Sequence, residues 1–136
     1  MDERLDLTSL ENAVRRLRDG LARYEKDVAD TQIRDGLIQR FEFTYELSHK
    51  MLKRYLESVS PSPEEVDRMA FADLVRSGNE QGLLVGDWES WKSYRAMRGK
   101  TSHVYNEGVA LDVVEGIPAF LREAEFLLKQ LQNRNS

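Results

Sequence analysis

At 136 residues, the chain has the size of one domain and is long enough to bury a core without disulfides or a structural metal. Charged residues make up 32% and hydrophobic ones 40%, with 8 Gly, 3 Pro and no Cys. That mix suits amphipathic helices and excludes a disulfide scaffold, a thiolate metal site and a cysteine nucleophile. The net charge of −4 argues against a surface that coats nucleic acid indiscriminately and leaves room for a local basic site. No apolar run approaches the ~20 residues of a bilayer-spanning helix. Met1-Asp2-Glu3-Arg4 lacks the basic-then-apolar layout of a signal peptide. The expectation is a soluble, cytoplasmic, single-domain protein over residues 1–136, with no membrane and no cofactor.

A first helix is predicted from Thr8, with Thr8 and Glu11 forming a capping box and Leu10, Val14, Leu17, Leu21, Tyr24 and Val28 making one apolar stripe. A second runs from about Thr31 to Glu57. Its apolar positions include Ile33, Leu37, Ile38, Phe41, Tyr45, Leu52, Tyr55 and Leu56, with Phe43, Leu47 and Met51 on another flank. A helix apolar on more than one side belongs at the centre of a bundle, or buries one flank in a partner chain. Ser60-Pro61-Ser62-Pro63 ends it. Ser62 and Pro63 then start a third helix through Val66, Met69, Ala70, Leu74 and Val75, with Gly78 as its stop and a loop over 79–86. Asp87 caps a fourth helix carrying Trp88, Trp91, Tyr94 and Met97, aromatic positions better read as core or interface anchors than as base-stacking platforms. The last helix spans about Asn106 to Gln132, with Leu111, Val114, Ile117, Leu121, Ala124, Leu128 and Leu131 as its stripe and Pro118 as a kink. Strand signals are weak throughout. The fold class is all-α, an up-and-down bundle of four to five helices.

Positive charge is concentrated between Ser90 and Asn106, where Lys92, Arg95, Arg98 and Lys100 occur without an Asp or Glu. In the same stretch, Arg98 and His103 stand five residues apart. An imidazole, with an ordinary pKa of ~6.5, gives and takes protons near neutrality. A guanidinium stabilises a phosphorane-like transition state with its fork of donors. Those are the two needs of metal-independent RNA cleavage: proton transfer at the 2′-hydroxyl and leaving group, and a cation on the phosphate. Thr101 and Ser102 add hydroxyls that could grip phosphate oxygens. The plain alternative is that His103 is a surface turn residue and Arg98 closes an ion pair at a helix end.

Glu42, Glu46, His49 and Lys53 share one face of the second helix. One reading makes them a polar stripe supporting the Arg98–His103 pair. The plainer reading, which we favour on sequence grounds, is a solvated face with ordinary side-chain pairing. A metal site from these residues is rejected, because no further helix supplies a partner ligand.

Phe41-Glu42-Phe43-Thr44-Tyr45-Glu46-Leu47, with Lys50 and Leu52-Lys53 following, resembles the second-helix signature of the nucleotidyltransferase substrate-binding family, a branch of the HEPN proteins that includes the HepT-like toxins. Arg98-Gly99-Lys100-Thr101-Ser102-His103-Val104-Tyr105 fits that family's R-x4-H-x-Y pattern. The resemblance covers nearly the whole chain. It implies a helical homodimer in which two R-x4-H motifs meet across a shared cleft, and a metal-independent endoribonuclease toxin, with transfer RNA among its targets. By that analogy Arg98 binds phosphate and His103 is the general acid and base. It also implies a partner, a minimal nucleotidyltransferase antitoxin that adds AMP to the motif tyrosine, here Tyr105. Gly99 stands where the family usually carries Asn or Asp, and His49 where relatives often carry an aromatic ring. Two other readings follow from the same residues: a non-catalytic substrate-binding or regulatory subunit of the nucleotidyltransferase, and a purely structural helical dimer.

Overall fold

A computed structural model describes residues 4–135. Six α-helices follow one another, α1 Thr8–Lys26, α2 Thr31–Val59, α3 Pro63–Asp67, α4 Phe71–Glu80, α5 Trp88–Lys100 and α6 Glu107–Arg134, with a single 3-10 turn at Thr101–His103 joining α5 to the last loop. Among the described residues there is no strand. The bundle is built round α2, which packs against every other helix and against the 3-10 turn. The apolar positions on two sides of α2 have that cause: Leu37, Ile38, Phe41, Tyr45, Met51, Leu52 and Leu56 are all buried.

An aromatic cluster fills the centre. Phe41 meets Phe120 edge-on at 5.0 Å between centroids, Tyr94 meets Phe120 at 5.3 Å, and Trp91 meets Tyr94 at 5.4 Å. Such edge-to-face pairs contribute about 0.5–1.5 kcal/mol each beyond the area they bury. Trp91 and Tyr94 are core residues, and Trp88 is half-buried against Phe71.

Several helix ends differ from the sequence reading. Thr8 lies inside α1 rather than capping it: Leu7 holds the N-cap position, and the Asp6 carboxylate accepts from the Thr8 amide at 3.0 Å. The helix closes at Lys26, so Val28 is exposed beyond its end and outside the stripe. The predicted third helix is two. The chain breaks over residues 68–70, leaving Met69 and Ala70 on the surface, and restarts so that Phe71, Leu74 and Val75 face the core. Ser62 precedes Pro63 as expected, yet its side chain makes no capping bond. Gly78 is not a stop but a point of close approach within α4, where a Cβ would come within 2.9 Å of Leu52 Cδ1. The left-handed turn belongs to Gly82, at φ 77°. On α6, Leu111 is 47% exposed, while Val113 and Phe120, which the stripe omits, are fully buried.

The loop before α5 is held from below by Glu123, a buried carboxylate on α6. Its two oxygens accept from the Val85 amide at 2.8 Å and the Gly86 amide at 2.7 Å. Burial pushes the Glu123 pKa up, and the two amides pull against that by favouring the charged form. Glu123→Gln would set an amide NH2 against one of these backbone N–H groups. We expect it to destabilise the fold by about 1–3 kcal/mol, read as a lower midpoint in chemical denaturation.

Candidate functional site

The basic segment lies on a continuous run of helical backbone, α5 followed by the 3-10 turn. Asp87 starts that run by accepting from the Ser90 amide at 3.3 Å. Trp91, Tyr94 and Met97 lock one face into the core, which turns Lys92, Arg95, Gly99 and Lys100 outward. Arg98 lies at the boundary, its side chain 33% exposed.

The Arg98 guanidinium is gripped by α2. Its Nε and Nη2 donate to Glu46 Oε1 at 3.0 and 2.5 Å, and Nη1 lies 3.8 Å from Glu42 Oε2. Nη1 also donates to Thr101 Oγ1 at 3.2 Å. The Thr101 hydroxyl lies 2.6 Å from Glu42 Oε2 and 2.8 Å from the Arg98 carbonyl, so its one proton is shared between two acceptors, of which the carboxylate is the stronger. The hydrogen bond to Glu46 is the main reason that the Arg98 pKa is raised, so the group is a permanent cation. A guanidinium carries five N–H donors. Three are committed here to Glu46 and Thr101, which leaves two outside these hydrogen bonds, one of them on the Nη1 that faces Glu42.

Glu42 and Glu46 are thus paired with Arg98 and Thr101 and are not simply solvated. The four-residue stripe does not act as a unit. His49 is half-buried and packs on Phe71 at 4.3 Å between ring centroids, and Lys53 pairs with Asp67 at 3.0 Å. Thr101 also departs from its expected part. It is buried, and its hydroxyl lies against Glu42 and the Arg98 guanidinium, so it braces the arginine.

Beyond Thr101 the chain opens to solvent. Ser102, His103 and Tyr105 are all exposed, Tyr105 at 86%. The Tyr105 hydroxyl stands 3.5 Å from His103 Nδ1, and the rings are 6.0 Å apart, edge to face. The Asn106 amide returns to the His103 carbonyl at 3.1 Å, and the Asn106 side chain caps α6 through the Val109 amide. Lys92 and Lys100 are exposed, and the Arg95 guanidinium lies over the Phe71 ring at 5.9 Å. A Cβ built on Gly99 meets nothing within 4 Å, so packing does not require glycine beside Arg98.

The sequence reading missed Arg34. Its side chain is only 7% exposed, and Nη1 donates to Glu107 Oε1 at 2.5 Å at the start of α6. Two turns before Glu42 on the same helix, it is a basic residue in an apolar stripe, and that was the available signal.

Comparison with known proteins gives the family and the fold. The family model described as nucleotidyltransferase substrate binding protein like matches residues 5–133. A Haemophilus influenzae protein named "Probable ribonuclease HepT" is 44% identical over 108 residues, covering 79% of this chain and 73% of that protein. A solved Haemophilus influenzae structure, described as the fold of a substrate binding domain of a nucleotidyltransferase, superposes with a TM-score of 0.87 at 35% identity, covering 93% of this chain and 99% of the other. A crystal structure from Thermus thermophilus gives a TM-score of 0.69 at 28% identity, covering 90% and 98%. The chain belongs to the nucleotidyltransferase substrate-binding family, and its fold is the all-helical fold of that family. Among the described residues no helix is long and apolar enough to cross a membrane.

Burial lowers the His49 pKa, with Lys53 and Arg95 adding to the effect. The unfolded chain therefore takes up this proton first, and stability is lost as pH falls below ~6.5. Replacing the imidazole by a ring that cannot charge, His49→Phe, should flatten that part of the stability–pH profile, measured by denaturation between pH ~5 and ~7.5.

Proposed function

We propose that this chain is a HepT-like toxin, a metal-independent endoribonuclease whose active groups are Arg98 and His103. The observation that carries the reading is the seating of Arg98. A guanidinium oriented by Glu46, Glu42 and Thr101 keeps two N–H donors for phosphate, on the same helical run as an exposed imidazole. His103 takes the proton from a ribose 2′-hydroxyl, whose oxygen attacks the adjacent phosphorus. Arg98 stabilises the charge that builds on the phosphoryl oxygens, and the 5′-oxygen leaves with a proton from a second imidazole. Each chain carries one His103, so a base and an acid acting together call for two copies, and a homodimer with both motifs on a shared cleft supplies them. Lys92, Arg95, Lys100 and Ser102 flank that path and would guide an RNA backbone, with transfer RNA among the candidate substrates.

The proposed partner is a minimal nucleotidyltransferase antitoxin. The Tyr105 hydroxyl is exposed enough to attack the α-phosphorus of ATP and release pyrophosphate, leaving AMP on the ring. That phosphate, next to His103, would occupy the place of the scissile phosphate and repel RNA.

A second reading has an observation in its favour. Glu42 and Glu46 together outweigh the Arg98 charge, and this suits a non-catalytic subunit that only presents itself to the nucleotidyltransferase. RNA cleavage by the unmodified protein in EDTA separates the two. We expect cleavage that His103→Ala lowers by on the order of 10²–10⁴-fold, and that Arg98→Ala lowers by on the order of 10²–10³-fold, with the helical content unchanged. Undiminished cleavage by His103→Ala would remove its assigned role, and no cleavage by the native protein would favour the second reading.

A further inference from the structure

His103 and Tyr105 are exposed and their side chains meet, with Val104 between them packed on the core, so their aim also depends on how the backbone on either side is held. On the α5 side the chain is tied to α2 through Thr101 and Arg98, which meet Glu42 and Glu46. On the α6 side it is tied to α2 again, through Glu107 and Arg34. Residues 34, 42 and 46 are spaced by eight and four, which spreads them over about a third of the helix circumference, ~12 and ~6 Å apart along its axis. The loop therefore runs back along α2 between two ion pairs. The second of these has a buried cation whose carboxylate partner is 68% exposed. Asp35, also exposed, lies 3.5 Å from Arg34 Nε.

We propose that the Arg34–Glu107 pair positions the His103–Tyr105 loop, and so aims the imidazole and the tyrosine hydroxyl without touching substrate. The role rests on the ribonuclease reading given above for its effect on cleavage, but not for its effect on the loop. Global stability is a poor reason for burying this arginine, since a buried ion pair replaced by an apolar side chain of similar volume often leaves a fold as stable or more so. What an apolar side chain cannot do is fix the first residue of α6 against α2.

The test uses Arg34→Met, which fills the same space, Glu107→Ala, which alters only the exposed partner, and Arg34→Lys, which keeps the charge. Hydrogen exchange is followed at the Asn106 and Val109 amides, which are bonded to the His103 carbonyl and the Asn106 side chain, and RNA cleavage is measured on the same samples. In Arg34→Met and Glu107→Ala, exchange at these two amides should rise on the order of tenfold while the core of α2 is unchanged. The kcat for RNA should fall on the order of 10²-fold with KM little altered, and Arg34→Lys should recover part of both. Unchanged exchange at Asn106 and Val109, or an increase spread evenly through the helices, would overturn the proposal. If the native protein cleaves no RNA, the ribonuclease reading fails, and the exchange measurement still decides the positioning role.

Discussion

The contact between Arg98 and the two carboxylates of α2 is the constraint on which the site depends. An arginine at the end of a surface helix ordinarily samples many rotamers, and most of that freedom must be given up before it can hold a phosphate. Here Glu46 and Thr101 hold the fork in one orientation in advance. The same contact joins α5 to α2, so the orientation of the Arg98 guanidinium is set by helix packing. It also imposes an electrostatic condition. Two carboxylates against one guanidinium leave the cluster negative, so under the proposed function an incoming phosphate would draw on Lys92, Arg95 and Lys100 for the field that brings it close.

The role of α2 explains why one helix carries both the core and the support of the site. Phe41 and Tyr45 point into the aromatic centre, and Glu42 and Glu46, one position further along the chain, meet Arg98. A substitution that rotated α2 would therefore disturb packing and chemistry together.

Much of this was legible in the sequence. The all-α class followed from the stripes of apolar residues, the central place of α2 from its two apolar flanks, and the start of α5 from Asp87. Arg98 and His103 stood out because they share a stretch without acidic residues. What the sequence hid has physical causes. The break over residues 68–70 contains neither Gly nor Pro and is imposed by where Phe71, Leu74 and Val75 must pack. The capping box at Thr8 has the right residues, but Asp6 takes the amide first. Glu42 and Glu46 read as an ordinary charged face because their partner lies more than fifty residues away. Arg34 interrupts an apolar stripe, but burial and a distant carboxylate, which the sequence does not show, define what it does.

If the site works as proposed, Arg98 and His103 engage the same phosphate. The most direct measurement follows the His103 imidazole by NMR while a 2′-O-methyl oligoribonucleotide, which lacks the attacking hydroxyl, is added. We expect a saturable shift of the His103 signals and a rise in its pKa on binding, both lost in Arg98→Ala. Binding that leaves His103 unmoved, or that shifts it equally without the arginine, would contradict a shared phosphate.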